Sequence, residues 1–118
     1  MKYFLFFGLL LIISCQKKFD SDEWKSYSGE EILNKHNPRN RMVADLVKNG
    51  NLKGKKSVEI RNLLGKPNTK DSSNNIFYYD ILESYGMNVE PNHIKTLEIH
   101  FNKDSTTAKV YLDEWKKN

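Results

Sequence analysis

The chain has 118 residues, with 19 Lys and Arg against 15 Asp and Glu, and 45 apolar side chains of which 12 fall in the first 15 positions. Residues 16–118 therefore hold 33 apolar side chains in 103 positions, which supports one small core and excludes a two-domain protein. The apolar run Tyr3–Ile13 argues against an integral membrane protein, because a spanning helix needs roughly 20 residues, and the net charge of +4 is too mild to argue for nucleic-acid binding.

In chain order the first element is a leader. Lys2 is the only charge before FLFFGLLLII, and the stretch closes on small Ser14 and on Cys15, the only cysteine. This pattern predicts a secretory signal over residues 1–14. Ile12, Ile13, Ser14 and Cys15 resemble a bacterial lipobox, with a branched apolar residue at minus three and the cysteine just after the cut. That resemblance implies a diacylated Cys15 thiol, cleavage before it, and acylation of the new amino terminus, with palmitate-like chains holding the protein on a membrane. Two or three acyl chains satisfy the two-signal requirement for stable anchoring. Gln16 stands where an Asp would retain a lipoprotein at the inner membrane, so the resemblance favours the outer membrane and leaves the leaflet open. The alternative is an ordinary signal peptide with a cysteine at its border. Lipidation of Cys15 leaves no thiol for a disulfide, a nucleophile or a metal.

Residues 15–27, ending in QKKFDSDEWKSY, are charged and show no helical or strand period, as suits a lipidated flexible tether. Phe19 and Trp24 interrupt it, either as incidental aromatics, as contacts with the lipid interface, or as docking residues. A single domain is expected over 28–118. Ser28 and Glu31 form a capping box that opens a helix of about two turns, EEILNKH, with Ile32, Leu33 and His36 on one side. Asn37 and Pro38 then read as N-cap and first residue of a second helix, whose Met42, Val43, Leu46 and Val47 recur at helical spacing until Gly50. A third helix carries Ile60, Leu63 and Leu64 and stops at Gly65, with Pro67 beyond.

After Gly65 a polar loop intervenes and the apolar period becomes two. Strands are predicted over Ile76–Leu82, Ile94–Phe101 and from Ala108 to about Glu114. Leu97, Ile99 and Phe101 share a face, as do Phe77, Tyr79 and Ile81 on the first strand and Val110 and Leu112 on the third. The opposite, wet face collects Tyr78, Asp80, Glu98, His100, Tyr111 and Asp113. The loop 83–93 is long, and its alternating Tyr85, Met87 and Val89 suggest a fourth short strand or a flap over the core. The fold expected is α+β, with two or three N-terminal helices on one face of a three- or four-stranded antiparallel sheet.

The segment GKKSVEIRNLLGKPN, residues 54–68, resembles the signature of the SmpA/OmlA (BamE-like) small outer-membrane lipoproteins. NIFYYDIL stands where that family places its first strand, and LEIHFNKDSTTAKVYL resembles its closing hairpin. The resemblance covers roughly residues 37–113 and implies the fold shared with β-lactamase inhibitory proteins, in which helices pack on a small antiparallel sheet, and a role in binding other proteins. Lys56 departs from the Thr or Ser that caps the family's helix, so the cap is expected at Ser57, on a shortened helix.

Three sites are weighed. Tyr78, His100 and Tyr111 on the wet face have the composition of a protein-binding surface, against ordinary cross-strand pairing. Lys53, Lys55, Lys56 and Arg61 form a local excess of positive charge suited to an acidic partner or anionic lipid, against a solvated lysine face. GNLKGKKS fails as a phosphate loop because Gly50 and Gly54 enclose three residues, one too few. His36, His93 and His100 are scattered with no zinc spacing, and the adjacent pairs Glu30/Glu31 and Asp113/Glu114 diverge. No catalytic residue, cofactor or metal is expected. The leading expectation is a non-catalytic, lipid-anchored outer-membrane module that binds an envelope protein, within outer-membrane assembly if the resemblance extends that far. The alternatives are an inhibitor or immunity-type binder of an envelope or extracellular enzyme, and a small-ligand or lipid-binding lipoprotein.

Overall fold

The computed structural model describes residues 17–87 and 89–117. Cys15, the leader expected before it and Gln16 lie outside the described residues. The elements are helix α1 (Ser21–Lys25), a 3-10 turn η1 (Gly29–Leu33), helices α2 (Pro38–Asn49) and α3 (Ser57–Leu64), and strands β1 (Thr69–Asp71), β2 (Ile76–Ser84), β3 (His93–Phe101) and β4 (Thr107–Lys116). The strands form one antiparallel sheet in the order β1-β2-β3-β4. This is the expected α+β fold, with one core between helices and sheet. Trp24, Met42, Leu46, Ile60 and Leu64 from the helices are buried with Phe77, Tyr79, Ile81, Leu97 and Ile99 from the strands.

The helical stripes bury Met42, Val43 and Leu46 of α2 and Ile60 and Leu64 of α3 as the 3.6-residue period expects, whereas Val47, expected in the same stripe, is exposed. In α2 the N-cap Asn37 accepts from the Asn40 backbone N–H at 2.8 Å and Pro38 is the first helical residue. The stop differs in detail. Gly50 keeps right-handed helical geometry, and it is Asn51 that turns left-handed with φ of 51°. Helix α3 begins at Ser57, so Lys56 and not Ser57 occupies the cap position. No side-chain oxygen is needed there, because the Ser57 N–H donates to the Ser105 carbonyl at 2.9 Å and the hairpin before β4 completes the helix end.

Three expectations are corrected. The first helix is only the five-residue η1, and Leu33 and His36 are exposed. Asn34 leaves helical geometry as its cap, and Pro38 fixes the entry to α2 a few residues on, so a second turn has no room. The fourth strand is not in the 83–93 loop. It is β1, three residues inside the polar stretch, paired with the start of β2 through a turn in which Asp71 accepts from the Asn74 backbone at 3.2 Å and its amide at 2.9 Å. Met87 and Val89 are fully exposed, so the loop is neither strand nor flap. Its base is closed by Asn92 N–H donating to the Ser84 carbonyl at 2.7 Å, which leaves the tip outside the core.

The expected tether is the third correction, because it is folded onto the domain from Phe19 onward. Asp20 caps α1 by accepting from Asp22 and Glu23 N–H, and Trp24 is completely buried. The Phe19 N–H donates to Asp45 at 2.8 Å, and Ser21 Oγ donates to the Leu63 carbonyl at 2.6 Å. Three carbonyls at the α3 C-terminus are satisfied from outside the helix, by Ser21, by Lys25 Nζ on Asn62 at 3.1 Å and by Tyr79 Oη on Gly65 at 2.8 Å.

Among the described residues the sheet has two register shifts, one where β3 meets β4 between His100 and Phe101 and one in β2. Asp80 pairs with Thr96 and Leu82 with Lys95, so Ile81 is the extra residue and both Ile81 and Leu82 turn inward. Strand β1 covers only the first residues of β2, and the uncovered edge is closed by side chains. Asn68 accepts from the Asp80 N–H at 2.9 Å, Arg39 donates to the Asp80 carbonyl at 3.1 Å, and Asn37 Nδ2 donates to the Ile81 carbonyl at 2.8 Å. Asn37 thus caps α2 and seals the sheet from a buried position. Asn37→Ala is expected to cost about 1.5–3 kcal/mol, combining a lost cap with an orphaned buried carbonyl. Chemical denaturation measures it, and a cost under about 0.5 kcal/mol refutes the double role.

Candidate functional site

The sheet face turned away from the helices is built by alternation alone. Tyr78 pairs with Glu98 and Glu98 with Tyr111, so the three side chains stand in one row across β2, β3 and β4. Ile76, His100 and Lys109 form the neighbouring row on the same face. The structure therefore brings Tyr78, His100 and Tyr111 together, as the two-residue period expects. Glu98 stands at their centre, with its Oε1 2.9 Å from His100 Nε2. The Lys109 ammonium lies 5.1 Å over the Tyr111 ring, so this face already holds one cation against an aromatic. Burial, then Glu98 and Asp71, hold the Tyr78 phenol above its ordinary pKa, which keeps it a neutral donor and acceptor.

The face is also charged in one sense. Asp71, Asp80, Glu83, Glu98 and Asp113 project from it, against Lys109 as the one formal cation among its described residues. Trp115 extends the aromatic surface on β4, half-exposed and opposite Ile94. Sequence reasoning missed Trp115 because it ended the strand near Glu114, two residues short of Lys116.

Lys53 and Arg61 line different recesses. Lys53 lines a recess of about 390 Å3 between the end of α2 and β4, together with Lys48 and Lys109. Arg61 lines a separate recess of about 130 Å3 that Lys70 shares. Lys55 is held by its backbone to Thr107, and Lys56 bridges to Thr106. A third recess, of about 390 Å3, opens at the far end of the sheet beside His93, Asn40 and Lys116. There His93 Nε2 lies 2.7 Å from Glu114 Oε2, and that hydrogen bond, with Lys95 and Lys116 nearby, holds the Glu114 carboxyl below the usual carboxylate range. His93 and His100 fall on opposite faces of β3, as their odd separation requires.

Among the described residues no group of three or more His, Cys, Asp or Glu stands close enough to hold a metal ion. Among the same residues no helix is long and apolar enough to cross a membrane. No family model, curated protein or solved structure matches the chain.

Proposed function

We propose that this chain is a non-catalytic lipoprotein, anchored through acylated Cys15 to the outer membrane, whose outer sheet face binds a cationic surface of another envelope protein. The observation that carries the binding reading is the row Tyr78–Glu98–Tyr111, a carboxylate between two aromatic side chains on an otherwise acidic face. An arginine or lysine of a partner would meet the Glu98 charge and the ring faces together, an arrangement stronger than either contact alone. The resemblance to SmpA/OmlA-type lipoproteins supports the same class of function. The anchor reading rests on the leader and on the Ile12–Cys15 pattern. Because Phe19 is already packed on the domain, four peptide steps separate it from Cys15, and these reach at most about 14 Å. Anchoring would hold the domain close to the lipid surface and raise its effective concentration toward membrane partners.

Two measurements test this. Cys15→Ala is expected to shift the protein from the washed membrane fraction to the soluble one, and its persistence in membranes overturns the anchor. Photo-crosslinkers at positions 78 and 111 are expected to capture one and the same envelope protein, while position 58, exposed on α3, does not. Glu98→Lys should abolish that capture without unfolding the domain. Equal capture at all three positions, or capture unchanged by Glu98→Lys, overturns the sheet-face reading.

A further inference from the structure

The 130 Å3 recess between α3 and the two hairpin turns has the features of an anion site, and it stands apart from the sheet face. The Arg61 guanidinium lies 5.1 Å and the Lys70 ammonium 5.9 Å from the centroid of the same ring, Phe77, which is buried and braced edge-on by Phe101. Two like charges are thus drawn over one aromatic, where the ring offers each a modest attraction and no neutralisation. Among the described residues neither cation has a carboxylate within ion-pair distance. Asp71, next to Lys70, hydrogen-bonds Ser73 and Asn74, and Asp104, next to Ser105, hydrogen-bonds Thr106.

The rim adds neutral donors. Ser57, the first residue of α3, lines the recess with Asn75 and Ser105. Asn75 and Ser105 are two of the three non-glycine residues with positive φ among those described, at 56° and 67°. Asn tolerates that geometry, whereas serine there is strained and glycine is the residue the turn itself favours. Ser105 keeps a hydroxyl at the rim at the expense of backbone comfort, a trade that strained positions make at functional sites.

We propose that this recess binds a phosphate monoester or inorganic phosphate, with Arg61 and Lys70 supplying charge and Ser57, Asn75 and Ser105 supplying hydrogen bonds. Its volume is large enough for a phosphoryl group. The full-length chain in detergent micelles is titrated with inorganic phosphate and with glycerol phosphate, the soluble form of a phospholipid headgroup, following amide shifts and calorimetry. Saturable binding is expected, weakened at least about tenfold by Arg61→Gln and by Lys70→Gln, since a charged hydrogen bond is worth that much. Lys55→Gln, outside the recess, should bind as the parent chain does. Ser105→Gly should weaken binding while leaving Tm equal or raised, a signature that a merely structural serine does not produce. Tighter binding of inorganic phosphate identifies free phosphate as the source, and tighter binding of glycerol phosphate identifies an esterified phosphate. No saturable binding of either, or binding unchanged in both Arg61→Gln and Lys70→Gln, overturns the proposal.

Discussion

Trp24→Ala is expected to remove about 3–5 kcal/mol of stability, the usual cost of deleting a fully buried indole. For a domain of this size that lowers Tm by on the order of 15–30 °C. Trp24 has no exposed surface, packs edge-on against Phe19 at 5.8 Å, and belongs to the same buried cluster as Met42, Ile60 and Leu64. Its indole Nε1 is buried without a hydrogen-bond partner, so the contribution is packing and not polarity. Trp24→Phe should therefore recover more than half of the loss. Urea denaturation of the two variants checks both statements. If Trp24→Ala unfolds at the same midpoint as the parent chain, residues 17–27 are a tether after all and the domain begins near Ser28.

The second large effect is expected at Arg39, which anchors the same segment from the other side. Only 5% exposed, its guanidinium lies 4.0 Å from the Tyr27 ring centroid, 5.1 Å from Trp24 and 5.8 Å from Tyr79. Its edge donates to Asn68 Oδ1 at 3.0 Å and to the Asp80 carbonyl at 3.1 Å. Burial lowers its pKa, which Tyr27, Tyr79 and Asp80 oppose, and an arginine so placed keeps its charge. Arg39→Ala is expected to cost about 2–5 kcal/mol, from lost stacking and from carbonyls left without donors. Arg39→Lys should recover less than half, because an ammonium cannot stack on flat rings while donating along its edge. Full recovery by lysine would show that charge alone matters there. Trp24→Ala combined with Arg39→Ala should fall short of additivity by about 0.5–3 kcal/mol, because the two residues share contacts.

Both effects bear on residues 17–27, where sequence reasoning was weakest, and the reason is physical. QKKFDSDEWKSY has no period because α1 is five residues long, too short for a stripe to repeat. Whether Trp24 is buried depends on Arg39, Ile60 and Leu64, which lie 15 to 40 positions away. Strand β1 was hidden for a similar reason. TKD has no apolar residue, and its pairing is decided by the turn at Asp71 and not by its own side chains. The wet face was more legible, since Tyr78, Glu98, His100 and Tyr111 follow from alternation once the strands are placed. What was not legible is that Arg61 and Lys70 share one ring, because that ring, Phe77, lies on a strand beyond the polar loop.

Much was determined by sequence alone: the α+β order, the stripes of α2 and α3, and the inner and outer faces of the strands. These rest on periods of 3.6 and 2 and on short motifs, which are local properties that a window of ten or so residues carries in full. Only the tertiary structure decided that the N-terminal segment docks, that a bulge at Ile81 seats two residues inward, that Asn37 and Arg39 close the β2 edge, and that Arg61 and Lys70 converge on Phe77. Each of these depends on which distant groups compete for one buried ring or one unpaired carbonyl. That competition is settled by packing and hydrogen-bond satisfaction across the whole core, where sequence spacing has no say.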